Sequence, residues 1–452
     1  MLDIKEFRFK VVTPLYLGGV DPRADEIQAK RDTQIRLRPV LAMWRYWFRA
    51  LKGAELGTDA KGLEELEKQE QRLFGGVRGE HPTAAGIRAR LVRVDNFNHS
   101  DYTEQEPHKS RYGRYLGYGL QEQKQRGVVI QNRRWAVKPG CEFTIAITAA
   151  QSDFDTLVDV IDTWVHCGGL GARHRRGWGC IEWTNRPRQV DYFKWLAERM
   201  KRYEGKMSTE PEFDVLHPDW CRIQICNAPS GEPFKSWGDA LVAVRNQLRI
   251  DAGRWGFDQR LVQDNECKKL EDERVDPKKK QAVQLANPMN PPTLHLGESG
   301  YGWRQRWPDW RLSGTWGFDK KTQTEKWLYA FYQGRDHDEA RKARQGWGCS
   351  PYNLKNIHFG LPVAYPTWDG MMVEPKLDDK PIRRPSPISF RISGANQNYR
   401  VTVLLFKSRF LPEGNCPIEA NGRSVQRPED WQDLDAFFDA CHGYIVFGKG
   451  RK

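Results

Sequence analysis

Ile4, Phe7, Phe9 and Val11 alternate loosely with Lys5, Arg8 and Lys10 near the start of the chain, which predicts a half-buried strand. Pro14 and the Gly18-Gly19 pair end it in the segment TPLYLGG, and a charged loop runs from Asp21 to Arg36. Pro39 then stands at a first helical position. Val40, Leu41, Trp44, Trp47, Phe48 and Leu51 recur at helical spacing until Gly53. A second, more charged helix is predicted over residues 62–74 and stops at Gly75-Gly76. Gly86 to Asp95 alternates Ile87, Ala89, Leu91, Val92 and Val94 with arginines and predicts a strand. Phe97 to Arg126 has no period and reads as an insertion. Glu142 to Thr148 (EFTIAIT) is a further strand after the turn at Pro139-Gly140. Asp153 is a suitable N-cap for a helix that carries Phe154, Leu157, Val158, Ile161, Trp164 and Val165 on one face and ends at Gly168-Gly169. The loop GARHRR leads into a last strand, GWGCIEW.

The order strand, helix, strand, strand, helix, strand is that of a ferredoxin-like split βαβ unit. The second half repeats it: a strand at Trp220–Cys226, a helix at Trp237–Leu248, strands at Ile388–Ile392 and Val401–Phe406, a helix at Glu429–Cys441 and a strand at Tyr444–Phe447. The expected fold class is therefore α+β, with two tandem ferredoxin-like (RRM-like) domains over 1–205 and 206–452. The second is interrupted by an insertion at about 251–350, too long to be structureless. The polar stretch Arg202–Pro218 is the expected linker.

Charge changes this picture. The 452 residues hold 72 Lys+Arg against 59 Asp+Glu, a net +13, together with 18 Trp, 15 Tyr and 20 Phe. Excess positive charge attracts polyanions and aromatic faces can stack on unpaired bases. The longest strongly apolar stretch, VTVLLF, is far too short to span a bilayer. MLDIKEFRFK has no apolar core of a secretory signal, so a cytoplasmic protein with no membrane association is expected. Nine Cys are scattered singly with no CxxC pair, as expected of free, buried thiols in a reducing compartment.

Part of the charge is concentrated. Arg38, Arg45, Arg49 and Lys52 fall on one side of the first helix, a ridge with no evident acidic neighbour that could follow phosphates. Gly168 to Cys180, GGLGARHRRGWGC, sets Arg173, Arg175 and Arg176 in a glycine frame that includes Gly169 and Gly171, whose N–H groups could cradle an anion. It is neither a dinucleotide fingerprint nor a Walker loop. Asp21, Asp25 and Glu26 could hold a metal, but a mixed charge run is more often a solvated loop, and no metal or cofactor is expected. The ten His are dispersed, and His99, His108 or His174 could act in RNA cleavage only as isolated residues. RRGWGC at Arg175–Cys180 recurs as RQGWGC at Arg344–Cys349, at an offset that does not fit the duplication.

TPLYLGG, the helix LAMWRYWFRAL, LFGG and GGLGARHRRGWG together resemble the RAMP superfamily of CRISPR proteins, and within it the family of first-numbered subunits of the type III-B Cmr effector complex. The matching residues are Thr13, Pro14, Leu15, Gly18 and Gly19, then Arg45, Trp47, Phe48 and Arg49, then Gly168, Gly169, Gly171, Arg173, Arg175, Arg176, Gly177 and Gly179. Phe48 departs from a second Trp, and His174 stands where the family often has a small hydroxyl residue. Arg383-Arg384-Pro385-Ser386-Pro387 and Ser408–Pro412 resemble further segments of that subunit, so Arg383 and Arg384, like His174 of the glycine loop, are candidate RNA contacts. The resemblance implies two fused RAMP domains in a ribonucleoprotein, contacting guide RNA or single-stranded target RNA near the guide 3′ end beside other Cmr-type RAMP subunits. It implies a noncatalytic RNA-binding role in antiviral defence. A guide-processing RAMP endoribonuclease and a purely structural subunit are the alternatives.

Overall fold

The first alternating segment folds into β1 (Leu2–Val11), the second strand of a four-stranded sheet. Its partners are β2 (Arg88–Asp95), β3 (Glu142–Ala150) and β4 (Ile181–Trp183), in the order β4-β1-β3-β2, with every pair antiparallel. The computed structural model describes residues 2–18, 26–78, 81–100, 120, 123–125, 128–131, 134–187, 190–228, 230–251, 363–365, 371–411, 416–420, 423–425, 431, 434–435, 438–439, 441 and 443–449. Asp21, Asp25, His108, the RQGWGC segment and nearly all of the 251–350 insertion lie outside these residues.

Helix α1 (Leu37–Leu56) connects β1 towards β2 and is followed by α2 (Ala60–Phe74), while α3 (Gln151–Cys167) joins β3 to β4. Phe7, Phe9, Phe143, Ile145 and Ile147 on one face of the sheet share a core with Trp44, Phe48 and Leu51 of α1 and with Phe154, Leu157, Ile161 and Trp164 of α3. Trp164 is the hinge of this packing. Its ring lies 5.4 Å from Phe9 and 6.2 Å from Trp44, and its Nε1 donates to Gly169 O at 3.0 Å. Two helix starts differ from expectation. α1 begins at Leu37, so Pro39 sits inside the first turn, where its missing N–H costs nothing. α3 begins at Gln151 with Ala150 as N-cap, and Asp153 instead accepts from Arg72 Nη2 at 3.0 Å.

A second four-stranded sheet consists of β5 (Cys221–Cys226), β6 (Ile388–Ala395), β7 (Asn398–Phe406) and β8 (Tyr444–Phe447), again all antiparallel, in the order β6-β7-β5-β8. From the β8 edge this is fourth, first, third, second, the order of the first sheet. Helix α4 (Tyr192–Met200), capped by Asp191, lies just before the expected linker and was hidden by its mixed polarity. Helix α5 (Trp237–Asp251) follows β5. Of the helix expected at Glu429–Cys441, residues 434–435 and 438–439 are helical and the rest lies mostly outside the described residues. Ile223, Leu404 and Phe406 join the core of the first sheet, so the second sheet packs that face inward.

The chain divides into two compact units. Met1–Arg245, Ile388–Arg409 and Gly443–Lys452 form one, which contains both sheets. Asn246–Pro387 and Phe410–His442 form the other, whose described strands include Val363–Tyr365, Met371–Leu377, Ile418–Ala420 and Arg423–Val425. Seven described cysteines are free and buried, and burial pushes the Cys167 and Cys226 thiols up to about 12. Among the described residues no helix is long and apolar enough to cross a membrane. Replacing Trp164 by Ala removes the ring shared by sheet, α1 and the glycine loop; urea unfolding is expected to show a loss of about 3–5 kcal/mol.

Candidate nucleic-acid interface

The apolar stripe of α1 buries Val40, Trp44, Trp47, Phe48 and Leu51 and leaves its basic residues on the other side. Arg38, in the first turn, is exposed. The other three are engaged. Arg49 grips Glu70 of α2 through two bonds, Nε to Oε2 at 2.5 Å and Nη2 to Oε1 at 2.7 Å. That hydrogen bonding raises its pKa, and half of its side chain, 51%, remains exposed. Arg45 reaches the same Glu70 at 3.2 Å and donates to Phe74 O at 2.7 Å and Gly75 O at 2.5 Å, the open carbonyls where α2 ends. Lys52 pairs with Glu55 at 2.8 Å, three residues on. Burial raises the Glu55 pKa, but the Lys52 hydrogen bond and the Arg199 charge hold it below the usual range. The expected ridge without an acidic neighbour is therefore corrected: α2 folds back to supply Glu70, and Glu55 was already within reach on the same helix.

The glycine loop does a different task from the one expected. Gly171, Gly177 and Gly179 have φ of 81°, 83° and 61°, where only glycine is at ease. A Cβ at Gly171 would land on Tyr16 O and one at Gly179 on Leu170 O. These close approaches stitch the loop to the TPLYL turn. Thr13 Oγ1 donates to Gly177 O and accepts from Cys180 N, both at 2.9 Å, while Gly179 N donates to Pro14 O and Ala172 N to Tyr16 O at 3.0 and 2.9 Å. The N–H groups of Leu170, Arg176 and Gly177 are likewise bonded inside the loop. The expectation of a frame of N–H groups open to an anion is corrected accordingly at these positions.

Its three arginines separate. Arg175 turns inward: Nη2 donates to Asp214 Oδ2 at 2.7 Å and to Tyr46 Oη at 3.1 Å, and its carbonyl accepts from Phe390 N of β6 at 2.9 Å. Burial lowers its pKa, yet Tyr46 and Asp214 more than reverse this and raise it above the usual guanidinium range. Asp214 also accepts from Tyr46 Oη at 2.8 Å and, on Oδ1, from Ser408 Oγ at 2.7 Å. Arg173 and Arg176 stay half-buried on the loop, with Arg176 N donating to Arg173 O at 2.8 Å. His174 Nδ1 donates to Gly171 O at 3.0 Å. Burial, helped by the Arg175 charge, pushes its pKa down to about 4, so the ring is neutral at pH 7.

In the second unit, Arg383 is exposed but Arg384 is buried at 8%, its Nη1 donating to Pro385 O at 2.8 Å and its guanidinium 5.6 Å from the Phe410 ring. Arg384 is thus not an available surface contact, because it is buried against the Phe410 ring. His99 meets Thr33 O at 2.8 Å and the Phe97 ring at 4.8 Å. Glu26 opens a short helix, Glu26–Asp32, in the first charged loop. Among the described residues no three His, Cys, Asp or Glu side chains are grouped to hold a metal. Asp214 carried no signal in the sequence, because nothing in a polar linker marks one carboxylate as buried. Arg88 and Arg90 alternate with apolar residues in GIRARLVRVD, a pattern that marks a strand and by itself no site.

Residues 8–182 match the RAMP superfamily, a span from β1 through the glycine loop into β4. Two Pyrococcus furiosus proteins also align. The CRISPR system Cmr subunit Cmr1-2 is 25% identical over 187 residues, 39% of this chain and 92% of that protein. The Cmr subunit Cmr1-1 is 24% identical over 263 residues, 54% of this chain and 71% of its own length. The chain thus carries a RAMP-superfamily segment and is similar to Cmr1 subunits. The crystal structure of apo Cmr1 from the same organism covers 99% of both chains at 13% identity, with a TM-score of 0.49. The signatures that mark the RAMP segment are thus the residues that close its core: the TPLYL turn, the Trp and Arg positions of α1, and the glycines.

Asp214→Ala leaves the Arg175 charge buried and unmatched, so chemical unfolding is expected to show a loss of about 3–5 kcal/mol, part of which Arg175→Met in the same chain restores. The unfolded His174 takes up a proton near pH 6.5 and the folded one near 4, so its contribution is complete above pH 6.5 and is lost as pH falls through that window. Unfolding curves from pH 7 to 4 check this: His174→Gln is expected to flatten the acid decline by up to about 3 kcal/mol.

Proposed function

We propose that this chain is a noncatalytic RNA-binding subunit of a type III-B Cmr ribonucleoprotein effector complex, built from two ferredoxin-like RAMP domains in tandem. The observation that carries the reading is the alignment of 39% of the chain with a Cmr subunit over 92% of that protein's length. The repeated strand order of the two sheets supports the tandem description. Its partners are then other Cmr subunits and RNA, guide or single-stranded target.

The geometry narrows which cations meet phosphate. Arg45, Lys52, Arg175 and Arg384 are engaged in ion pairs, carbonyl contacts or ring contacts inside the protein. Arg38 and Arg383 are exposed, Arg173 and Arg176 line the loop, and Arg49 keeps an open edge beyond Glu70. Such contacts hold a backbone without reading bases. The noncatalytic reading draws support from the two described histidines considered for cleavage: the rings of His99 and His174 each bond a backbone carbonyl, and His174 is neutral.

Anisotropy titration of a labelled single-stranded RNA with the purified chain, over a range of salt, tests this. The variant Arg38→Ala/Arg173→Ala/Arg176→Ala is expected to weaken binding equally for unrelated sequences and to reduce the log K against log salt slope by about 2. Unchanged affinity and slope overturn the assignment of these residues. Metal-free cleavage of repeat RNA by the chain would make it an endoribonuclease. Association with Cmr subunits that survives nuclease, without RNA affinity, would make it a structural subunit.

A further inference from the structure

Helices α1 and α3 cover one side of the first sheet; among the described residues of the opposite side Ile4, Arg88 and Arg90 are exposed, Ala146 and Thr148 half-buried and Thr144 buried. Cross-strand register sets the residues of that open side in rows: Ile4, Thr148 and Arg88, then Glu6, Ala146 and Arg90, then Arg8, Thr144 and Arg93. The middle strand, β3, contributes only small side chains between two columns of long ones. The result is a trough along β3, about 10 Å between its flanking strands, with half-buried Ala146 and Thr148 on its floor and Thr144 buried at one end.

A β-bulge completes one wall. Strict alternation after Arg88 and Arg90 would place Val92 on the open side and turn Arg93 into the core. The register shifts between Leu91 and Arg93, which leaves Val92 as the extra residue, 44% exposed, and returns Arg93 to the row opposite Thr144. Bulges of this kind re-aim a side chain at a cost in regular pairing. Here the side chain gained is a third arginine in line.

The charges along the trough are unevenly matched. Arg88 and Arg90 are exposed and have no acidic partner among the described residues. Arg93 is anchored through Nε to Asp95 at 2.6 Å with 65% of its side chain exposed. On the other wall Glu6 is neutralised by Arg8 at 3.7 Å. The next row, Lys10, Glu142 and Asp95, carries two acids and closes that end. No aromatic residue lies on these rows, so the surface offers cations and the Thr148 hydroxyl without a platform for stacking bases.

We propose that this trough is an RNA site distinct from the glycine loop and α1, and that it holds the sugar–phosphate backbone of an extended single strand running along β3. Alternate residues of a strand are about 6.8 Å apart, so Arg88 and Arg90 present a repeating charge to a chain with one anion per nucleotide. Three rows span two such steps, enough for two or three nucleotides. A folded acidic protein surface would not match a narrow trough with a small-residue floor. The proposal rests on the RNA-binding reading above.

The probe is a fluorescein-labelled oligouridine of twelve nucleotides, titrated with the full chain across salt concentrations. Arg88→Ala/Arg90→Ala is expected to weaken binding at least five-fold and to reduce the salt slope by about 1.4; Arg88→Lys/Arg90→Lys is expected to keep the slope. Both positions are exposed, and the thermal midpoint of each variant is measured alongside. Should the alanine variant lose stability, the lysine variant and crosslinking of a 4-thiouridine probe to the Thr144–Thr148 peptide decide. An unchanged double variant, beside a weakened Arg38/Arg173/Arg176 variant, overturns the trough alone. A parent chain that binds no oligouridine removes the RNA reading and the trough with it. Crosslinks from this face to a protein subunit in the assembled complex also overturn it.

Discussion

Asp214 holds four stretches of chain at one buried carboxylate. Its own linker, α1 through Tyr46, the glycine loop through Arg175 and the exit of β7 through Ser408 all converge there. Taking such a charge out of water costs several kcal/mol unless its lone pairs are met. They are met by one guanidinium and two hydroxyls, each from a different part of the chain. The position of Arg175 then fixes the glycine loop, whose Arg175 carbonyl carries the edge of β6. The two sheets are joined at the same place where the signature residues lie.

This explains why composition overstated the available positive charge. Arg45, Arg49 and Glu70 meet because α2 doubles back along α1, and neither helix alone predicts that contact. Arg384 disappears beneath Phe410 in the same way. A net charge counts ionisable groups, whereas binding depends on those that folding leaves unmatched. Arg38, Arg88 and Arg90 belong to that smaller set.

The backbone of the fold was legible because its signals are local. Alternation marked β1 and β2, helical spacing marked α1 and α3, and every strand of both sheets was expected within a few residues of its place. Helix α4 was missed because its apolar positions, Tyr192, Leu196 and Met200, are too few among charges to stand out. The site was less legible. Glycines in the loop were recognisable, but whether a glycine opens N–H groups to a ligand or admits a neighbouring chain depends on what lies opposite. Tyr16 O and Leu170 O answer that, and both are tertiary facts. The bulge at Val92 is of the same kind: one extra residue changes which face Arg93 occupies, and alternation alone points it the wrong way.

The second sheet is assembled from distant pieces, with β5 at Cys221–Cys226 pairing directly with β7 at Asn398–Phe406. Closing a loop becomes only slowly more costly with length, about 0.6 kcal/mol per doubling. Once β5, β6 and β7 pair well enough to close one such excursion, the closure entropy of that pairing depends little on the length of the excursion. The stretch between α5 and β6, which belongs with Phe410–His442 to the second unit, therefore adds little closure cost to the pairing of the second sheet however long it is.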